Sequence, residues 1–289
     1  MLKALIKTMR LRQWTKNGFV FFALIFDKQL FRPEPFLRTV EGFFLFCLIS
    51  SAVYLFNDIA DMEADRNHPI KKQRPIASGK LPVTLALTTA LILIAIAIPL
   101  GILLSPVFAL ILTSYLVINL LYSRWLKHVS ILDVLIISSG FVLRVGAGVA
   151  LITVERFSPW LYMITILFSL YIGLGKRRAE MNLLAEGASA HRKVLEGYTI
   201  SLLDQYITIV SGMTIVAYSL YTFSAPNLPE NHTMMLTIPF VVYGIFRYLQ
   251  LIQFGHVAGS PDEVALKDRP LQITVLLWGM AVIAIFYLS

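Results

Sequence analysis

The chain alternates long apolar runs with short polar stretches, and the run "GFFLFCLISSAVYLF", Gly42 to Phe56, carries no charge at all. A helix that crosses a bilayer needs about 17–25 mostly apolar residues. Stretches of that kind fall at about 17–33, 39–58, 83–104, 106–123, 131–153, 159–175, 204–224, 234–254 and 270–288. They predict nine transmembrane helices, the first of them the weakest because Lys16 and Asp27 bracket only a short run. No internal repeat, low-complexity segment or linker interrupts the series. The expected fold is therefore all-α: a polytopic membrane protein, one domain over residues 1–289.

Composition supports the same class. Of 289 residues, 57% are hydrophobic and 15% charged, where a soluble domain holds roughly 45–50% and about 25%. The single cysteine, Cys47, excludes an intramolecular disulfide framework and a cysteine-based zinc site. The N-terminus lacks a short apolar core followed by a small-residue cleavage site, so no removable signal peptide is expected.

The formal charge of +8 changes the picture through its placement. With a cytoplasmic N-terminus, nineteen of the 25 Lys and Arg fall on the cytoplasmic side, whereas Lys28, Arg32, Arg38 and Arg156 fall on the other. That asymmetry is the positive-inside pattern of a multi-pass plasma (inner) membrane protein. The basic excess reports topology and anionic partners at the cytoplasmic face; nucleic acid is not an expected partner. The two longest connections, 59–82 and 175–203, lie on that side and carry most of the charge. Within the second, "AEGASAHRKVLEGY" (185–198) is expected to cap the site, with His191 solvated.

Candidate chemistry begins where the second span ends, at "YLFNDIADMEADRNHPIKKQRPIASGKLP", Tyr54 to Pro82. If the helix continues through Asp65, Asp61, Asp65 and Asp58 lie about 40°, 80° and 100° around it from Asn57, on one face, with Glu63 on the far side. Three carboxylates and a carboxamide are hard-oxygen ligands suited to Mg²⁺ that also holds substrate phosphate. Without a cation they would repel one another at a helix C-terminus, where the dipole already disfavours anions. The competing interpretation is a charged, solvated helix end. Pro69 and Pro75 then break the helix, which puts Arg66, His68, Lys71, Lys72, Arg74 and Lys80 on a segment able to fold back over the carboxylates. Arg66 and Arg74 are the preferred diphosphate ligands because a guanidinium grips phosphate bidentately.

These residues resemble the first aspartate-rich motif, N-D-x-x-D-x-x-x-D, of the UbiA superfamily of intramembrane prenyltransferases, and "YSRWLK", Tyr122 to Lys127, resembles its segment after the fourth helix. The resemblance covers essentially the whole chain. It implies helices around a central cavity open to the cytoplasmic side, and Mg²⁺ held on Asn57, Asp58, Asp61 and Asp65. Such enzymes carry a second acidic motif after helix six, but here "LYIGLGKRRAEMNLLAEG" places Lys176, Arg177 and Arg178 where carboxylates are expected.

That inversion, with "MRLRQWTKNGFVF", "ILDVLIISSGFVLRVGAG", "GLGKRRAE" and "LKDRPL", is similar to the decaprenyl-phosphate phosphoribosyltransferase branch. The branch implies transfer of 5-phosphoribose from phosphoribosyl diphosphate to a polyprenyl phosphate lipid, with release of diphosphate. Asp58, Asp61 and Asp65 would be catalytic through the metal. Lys176, Arg177 and Arg178, with Lys16 and Arg12, would meet the 5-phosphate or lipid phosphate, and Tyr122 and Lys127 would line the donor pocket. The acceptor phosphate is already ionised, so no strong general base is needed.

Arg144 stands in mid-span, where a charge costs at least about 2.5–3.5 kcal/mol. Asp133 lies roughly 16 Å away along the helix, too far to pair with it. Arg144 is expected either to face the cavity and a substrate phosphate or to form a structural interhelical pair. A homo-oligomer is compatible with these features. The alternatives to the phosphoribosyltransferase are a UbiA-type prenyltransferase with another acceptor, and a transporter or lipid-binding protein without catalysis.

Overall fold

Every element among the described residues of this computed structural model is helical, in agreement with the all-α expectation. Residues 1–69, 71–154, 158–185, 193–225, 228–254 and 267–288 are described. In chain order the α-helices are α1 (Leu2–Met9), α2 (Phe22–Phe26), α3 (Pro33–Ala60), α4 (Met62–Arg66), α5 (Val83–Leu104) and α6 (Pro106–Arg124). They continue with α7 (Leu132–Leu151), α8 (Pro159–Ala185), α9 (Ile200–Ser224), α10 (Ile238–Gln253) and α11 (Arg269–Leu288). Eight of these, α3 and α5 to α11, supply helices long and apolar enough to cross a membrane. The chain is a multi-pass membrane protein.

The expected first span, 17–33, takes a different form. Leu11–Phe21 make a 3₁₀-helix that runs directly into α2. The reason lies in a period of three, because a 3₁₀-helix with three residues per turn aligns positions i and i+3. Trp14, Asn17, Val20 and Ala23 follow that spacing. Trp14 Nε1 donates to Ser51 Oγ (3.0 Å), Asn17 Nδ2 donates to Ser50 Oγ (3.1 Å), and Val20 and Ala23 are buried. At about 2.0 Å per residue the 3₁₀ segment rises about 22 Å, and α2 adds about 8 Å. The combined length is close to the hydrocarbon thickness of about 30 Å.

By its packing the chain divides into two units. The first comprises Met1–Ile25, Gln29–Lys127 and Leu143–Val154; the second comprises Phe26–Lys28, His128–Val142 and Glu155–Ser289. The first unit packs around Phe46, Ile49, Phe108, Leu112 and Leu151, with a second cluster of Leu55, Ile76, Leu81, Ala86 and Ala90. Gly148 permits a close approach there, since a Cβ at that position would lie 2.0 Å from the Val20 carbonyl oxygen. Arg38 Nε donates to the Leu151 carbonyl (3.0 Å) and its Nη2 to the Leu104 carbonyl (2.6 Å). One cation thus caps the C-termini of α7 and α5, where free carbonyls and the helix dipoles favour positive charge. The second unit packs around Val134, Tyr171, Leu174, Leu203, Ile207 and Tyr248, with a further cluster at Tyr218 and Tyr221.

Two helices overshoot the bilayer. α3 has 28 residues and α8 has 27, about 42 and 40 Å at 1.5 Å per residue. Their surplus turns carry the charged motifs. The stretch expected as a loop from 175 is therefore helical to Ala185, because Lys, Arg, Ala, Glu, Met and Leu are strong helix formers and Arg177 pairs with Glu180 one turn on. Residues 186–192 of the expected cap segment, including His191, lie outside the described residues, and Lys193–Gly197 form a 3₁₀-helix.

Candidate active site

α3 ends at Ala60, Asp61 (φ −91°, ψ 2°) interrupts the helix, and α4 resumes it. The turn spacing survives the interruption: the Asp61 N–H donates to the Asn57 carbonyl (2.9 Å) and the Asp65 N–H to the Asp61 carbonyl (2.8 Å). The acidic residues meet their partners in two adjacent rows. In the first, Asn57 and Asp61 meet Ser123 and Lys127, which are likewise four residues apart. Ser123 Oγ donates to Asn57 Oδ1 (2.8 Å), and Lys127 Nζ donates to Asp61 Oδ1.

In the second row a single nitrogen, Arg74 Nη1, donates to both Asp58 Oδ1 (3.3 Å) and Asp65 Oδ2 (2.7 Å). Arg10 Nη2 also donates to Asp58 Oδ1 (2.6 Å). Asp58 and Asp65 are buried, so these cations supply the opposite charge that a buried carboxylate requires.

Local sequence explains the fold-back. Ile76 and Leu81 sit in the cluster beneath α3, which anchors the segment after Pro75 and brings Arg74 over Asp58 and Asp65. Arg66 turns elsewhere, donating to Glu63 Oε1 (2.6 Å) and the Ala77 carbonyl (3.4 Å). Tyr122 is half-buried beside Ser123, and Lys16 is half-buried on the 3₁₀-helix; Arg12 is exposed. Sequence inspection missed Arg10 and Ser123. Ser123 was accessible from its four-residue spacing to Lys127, but nothing local distinguishes Arg10 from Arg12.

Among the described residues no three His, Cys, Asp or Glu side chains gather closely enough to form a metal cage. The donors are nonetheless all oxygen, and Arg74 Nη1 contacts both Asp58 and Asp65. That set fits a hard cation held by one or two carboxylates and completed by water and substrate phosphate, the usual coordination of Mg²⁺.

Arg144 lies within the first unit. Its Nε donates to Asn17 Oδ1 (2.8 Å) and its Nη2 to Tyr115 Oη (2.9 Å). The guanidinium also lies over the Phe46 and Tyr115 rings, 5.4 and 5.0 Å from their centroids. Asn17 in turn donates to Ser50 Oγ and to Cys47 Sγ. Arg144 therefore ties together α3, α6, α7 and the 3₁₀-helix.

The "GKRR" residues belong to the second unit, on α8. Arg177 Nε donates to Asp133 Oδ2 (2.6 Å) and its Nη1 to Glu180 Oε2 (2.5 Å). Tyr198 Oη donates to Asp133 Oδ1 (2.8 Å) and accepts from the Ile131 N–H. Burial pushes the Tyr198 phenol above its ordinary range, which keeps it a neutral donor. Ile131 has φ 68°, a strained conformation for a β-branched residue, fixed here by the Tyr198 contact. Arg178 Nε donates to Asp204 Oδ1 (2.5 Å) and its Nη1 to the Ile252 carbonyl (3.2 Å), while Lys176 is half-buried beside them.

Residues 18–259 match the UbiA prenyltransferase family. The whole chain is 35% identical to the decaprenyl-phosphate phosphoribosyltransferase of Mycolicibacterium smegmatis, over 94% of that protein. It is also 35% identical to the protein of the same name from Corynebacterium glutamicum, over 98% of this chain and 87% of that one. A UbiA homolog from Archaeoglobus fulgidus, solved bound to DMAPP and Mg²⁺, has the same fold, with a TM-score of 0.73 at 15% identity over 99% of each chain.

Proposed function

The chain belongs to the UbiA prenyltransferase family, and from that premise we propose that it transfers 5-phosphoribose from phosphoribosyl diphosphate to a polyprenyl phosphate, releasing diphosphate. The observation that carries this reading is the 35% identity, along the full chain, to proteins named for that activity. The reaction places a lipid-linked pentose at the start of cell-wall arabinan or related glycan synthesis. The asymmetry of Lys and Arg favours a plasma (inner) membrane location with the N-terminus and the acidic site cytoplasmic, the side on which a soluble, highly anionic donor is available.

In this mechanism an oxygen of the acceptor phosphate attacks ribose C1 as the C1–O bond to diphosphate breaks. Asn57, Asp58, Asp61 and Asp65 would hold Mg²⁺, which supplies Lewis-acid stabilisation of the departing diphosphate. Arg74 and Lys127, which lie at the carboxylates, would take diphosphate oxygens, Arg74 with the bidentate grip of a guanidinium. The ribosyl carbon passes through an oxocarbenium-like state. The attacking phosphate is ionised near neutral pH, so positioning and charge neutralisation carry the rate. On the same reading the half-buried Tyr122 would line the donor pocket, and the half-buried Lys16 would meet the 5-phosphate or the lipid phosphate.

The test is to incubate purified protein with Mg²⁺, polyprenyl phosphate and radiolabelled phosphoribosyl diphosphate. Label should enter the organic phase, and EDTA or Asp61→Ala should abolish it. Turnover of a prenyl diphosphate with no labelled lipid would instead establish an ordinary prenyltransferase, the alternative that the family description raises.

A further inference from the structure

We infer that Arg10 is a built-in counter-ion of the acidic site: it neutralises Asp58 and moves to the donor's diphosphate when a divalent cation takes that carboxylate. Metal and diphosphate then bind in concert rather than independently. This deepens the donor-and-metal reading above and rests on it.

The position of Arg10 is built and strained. It closes α1 with φ 54°, in the left-handed region that a non-glycine residue enters only when its surroundings over-determine it. The surroundings do so. Its own N–H donates to the Lys7 carbonyl (3.3 Å), and its carbonyl accepts from the Gln13 N–H (2.8 Å). The preceding carbonyl, of Met9, accepts from Ser51 Oγ (3.2 Å), which itself accepts from Trp14 Nε1. Upstream, Ala4, Leu5 and Met9 pack into the cluster beneath α3, and Thr8 is buried. The guanidinium lies over the Tyr54 ring, 4.8 Å from its centroid, with Nη2 on Asp58. The turn that closes α1 thus sets Arg10 on a carboxylate 48 residues away in sequence.

Charge then dictates the coupling. Two guanidinium groups, of Arg10 and Arg74, share one oxygen of Asp58. A divalent cation arriving alone would have to displace or confront both. A diphosphate arriving with it offers the displaced guanidinium a stronger anionic partner. Linkage is reciprocal: whatever factor diphosphate adds to metal affinity, metal adds to diphosphate affinity.

The experiment is equilibrium dialysis of the full chain in detergent, with Mn²⁺ alone and then with radiolabelled inorganic diphosphate at saturating Mn²⁺. Arg10→Gln should bind Mn²⁺ alone about fivefold tighter than wild type and bind diphosphate about tenfold more weakly, opposite signs within the usual range of coupling. Lys3→Gln, an equal change in net charge on the exposed side of α1, should alter neither. If Arg10→Gln does not fold, Arg10→Lys carries the test. It should keep the Mn²⁺ affinity within about twofold and bind diphosphate about threefold more weakly, since the bidentate grip is lost.

Arg10→Gln that binds Mn²⁺ no tighter than wild type, or that keeps full diphosphate affinity, overturns the proposal. Equal diphosphate affinity in wild type and Arg10→Lys does the same. Absence of phosphoribosyl transfer with these opposed shifts intact would refute the assigned donor and leave the counter-ion role standing. Failure of wild type to bind Mn²⁺ under either condition would remove both.

Discussion

Two clusters of arginine and aspartate sit on the overshooting ends of α3 and α8, and they differ in what surrounds the cations. On the acidic rows the side chains of Arg10, Arg74 and Lys127 are 29%, 27% and 24% exposed. On α8 the side chain of Arg177 is 2% exposed and that of its partner Asp133 is fully buried. The chemistry is alike, but the cations of the first set are part-exposed, whereas the Arg177–Asp133 pair is sealed. A cation run in sequence is therefore no measure of a phosphate site; what matters is whether its charge is already committed in a place that solvent and substrate cannot reach. Arg177 and Arg178 join α8 to Asp133, Asp204 and the Ile252 carbonyl, while Arg10, Arg74 and Lys127 lie on the carboxylates of the acidic motif.

Breaking a sealed pair should have the largest effect. Asp133→Leu removes the fully buried carboxylate that pairs with Arg177 and the acceptor of Tyr198. The loss of stability should be about 3–5 kcal/mol, seen as early thermal unfolding in detergent. Breaking a pair of the first set should separate activity from stability. Asp58→Asn keeps the shape and removes the charge, so transfer should fall about 10²–10³-fold while the melting temperature moves by no more than a few degrees.

Arg38 sharpens the contrast from a third direction, because its charge is committed to carbonyls rather than to a carboxylate. Arg38→Ala should cost about 2 kcal/mol without changing the apparent affinity for donor.

Arg247 and Asp268 form a pair of intermediate exposure, 28% and 12%, and should give the smallest effect. The hydrogen bond from Arg247 holds the Asp268 carboxyl below the usual carboxylate range. A carboxylate depressed by folding lends stability above its unfolded pKa of about 3.9, and that stability is lost as pH falls through the folded value. Acidifying from pH 6 to about pH 3 should thus lower the melting temperature slightly more in wild type than in Asp268→Asn.

Much of this was legible in the residues. Eight of nine expected spans are long apolar helices, because hydrophobic length alone sets the requirement. The acidic motif announced itself as charge where a greasy run ends. What could not be seen is tertiary. Asp133, the buried carboxylate on Arg177, lies 44 residues away, and Asp204, on Arg178, lies 26 away, so the run after Gly175 looked like free positive charge. Arg10 reaches Asp58 only because α1 stops in a left-handed turn. The first span was obscured by its period, since Trp14, Asn17 and Val20 repeat every three residues and a search for α-helical runs does not register that spacing.

On the proposed mechanism the donor's diphosphate is held where Arg74 joins Asp58 and Asp65. The direct measurement is thermal unfolding with Mg²⁺ and phosphoribosyl diphosphate at about a hundred times its dissociation constant, in wild type, Arg74→Gln and Arg247→Gln. Ligand at that level stabilises a folded chain by about 2.7 kcal/mol, or about 5–10 °C. Wild type and Arg247→Gln should show that rise and Arg74→Gln should lose it. An undiminished rise in Arg74→Gln, or a rise in wild type with a prenyl diphosphate and none with phosphoribosyl diphosphate, would contradict that mechanism.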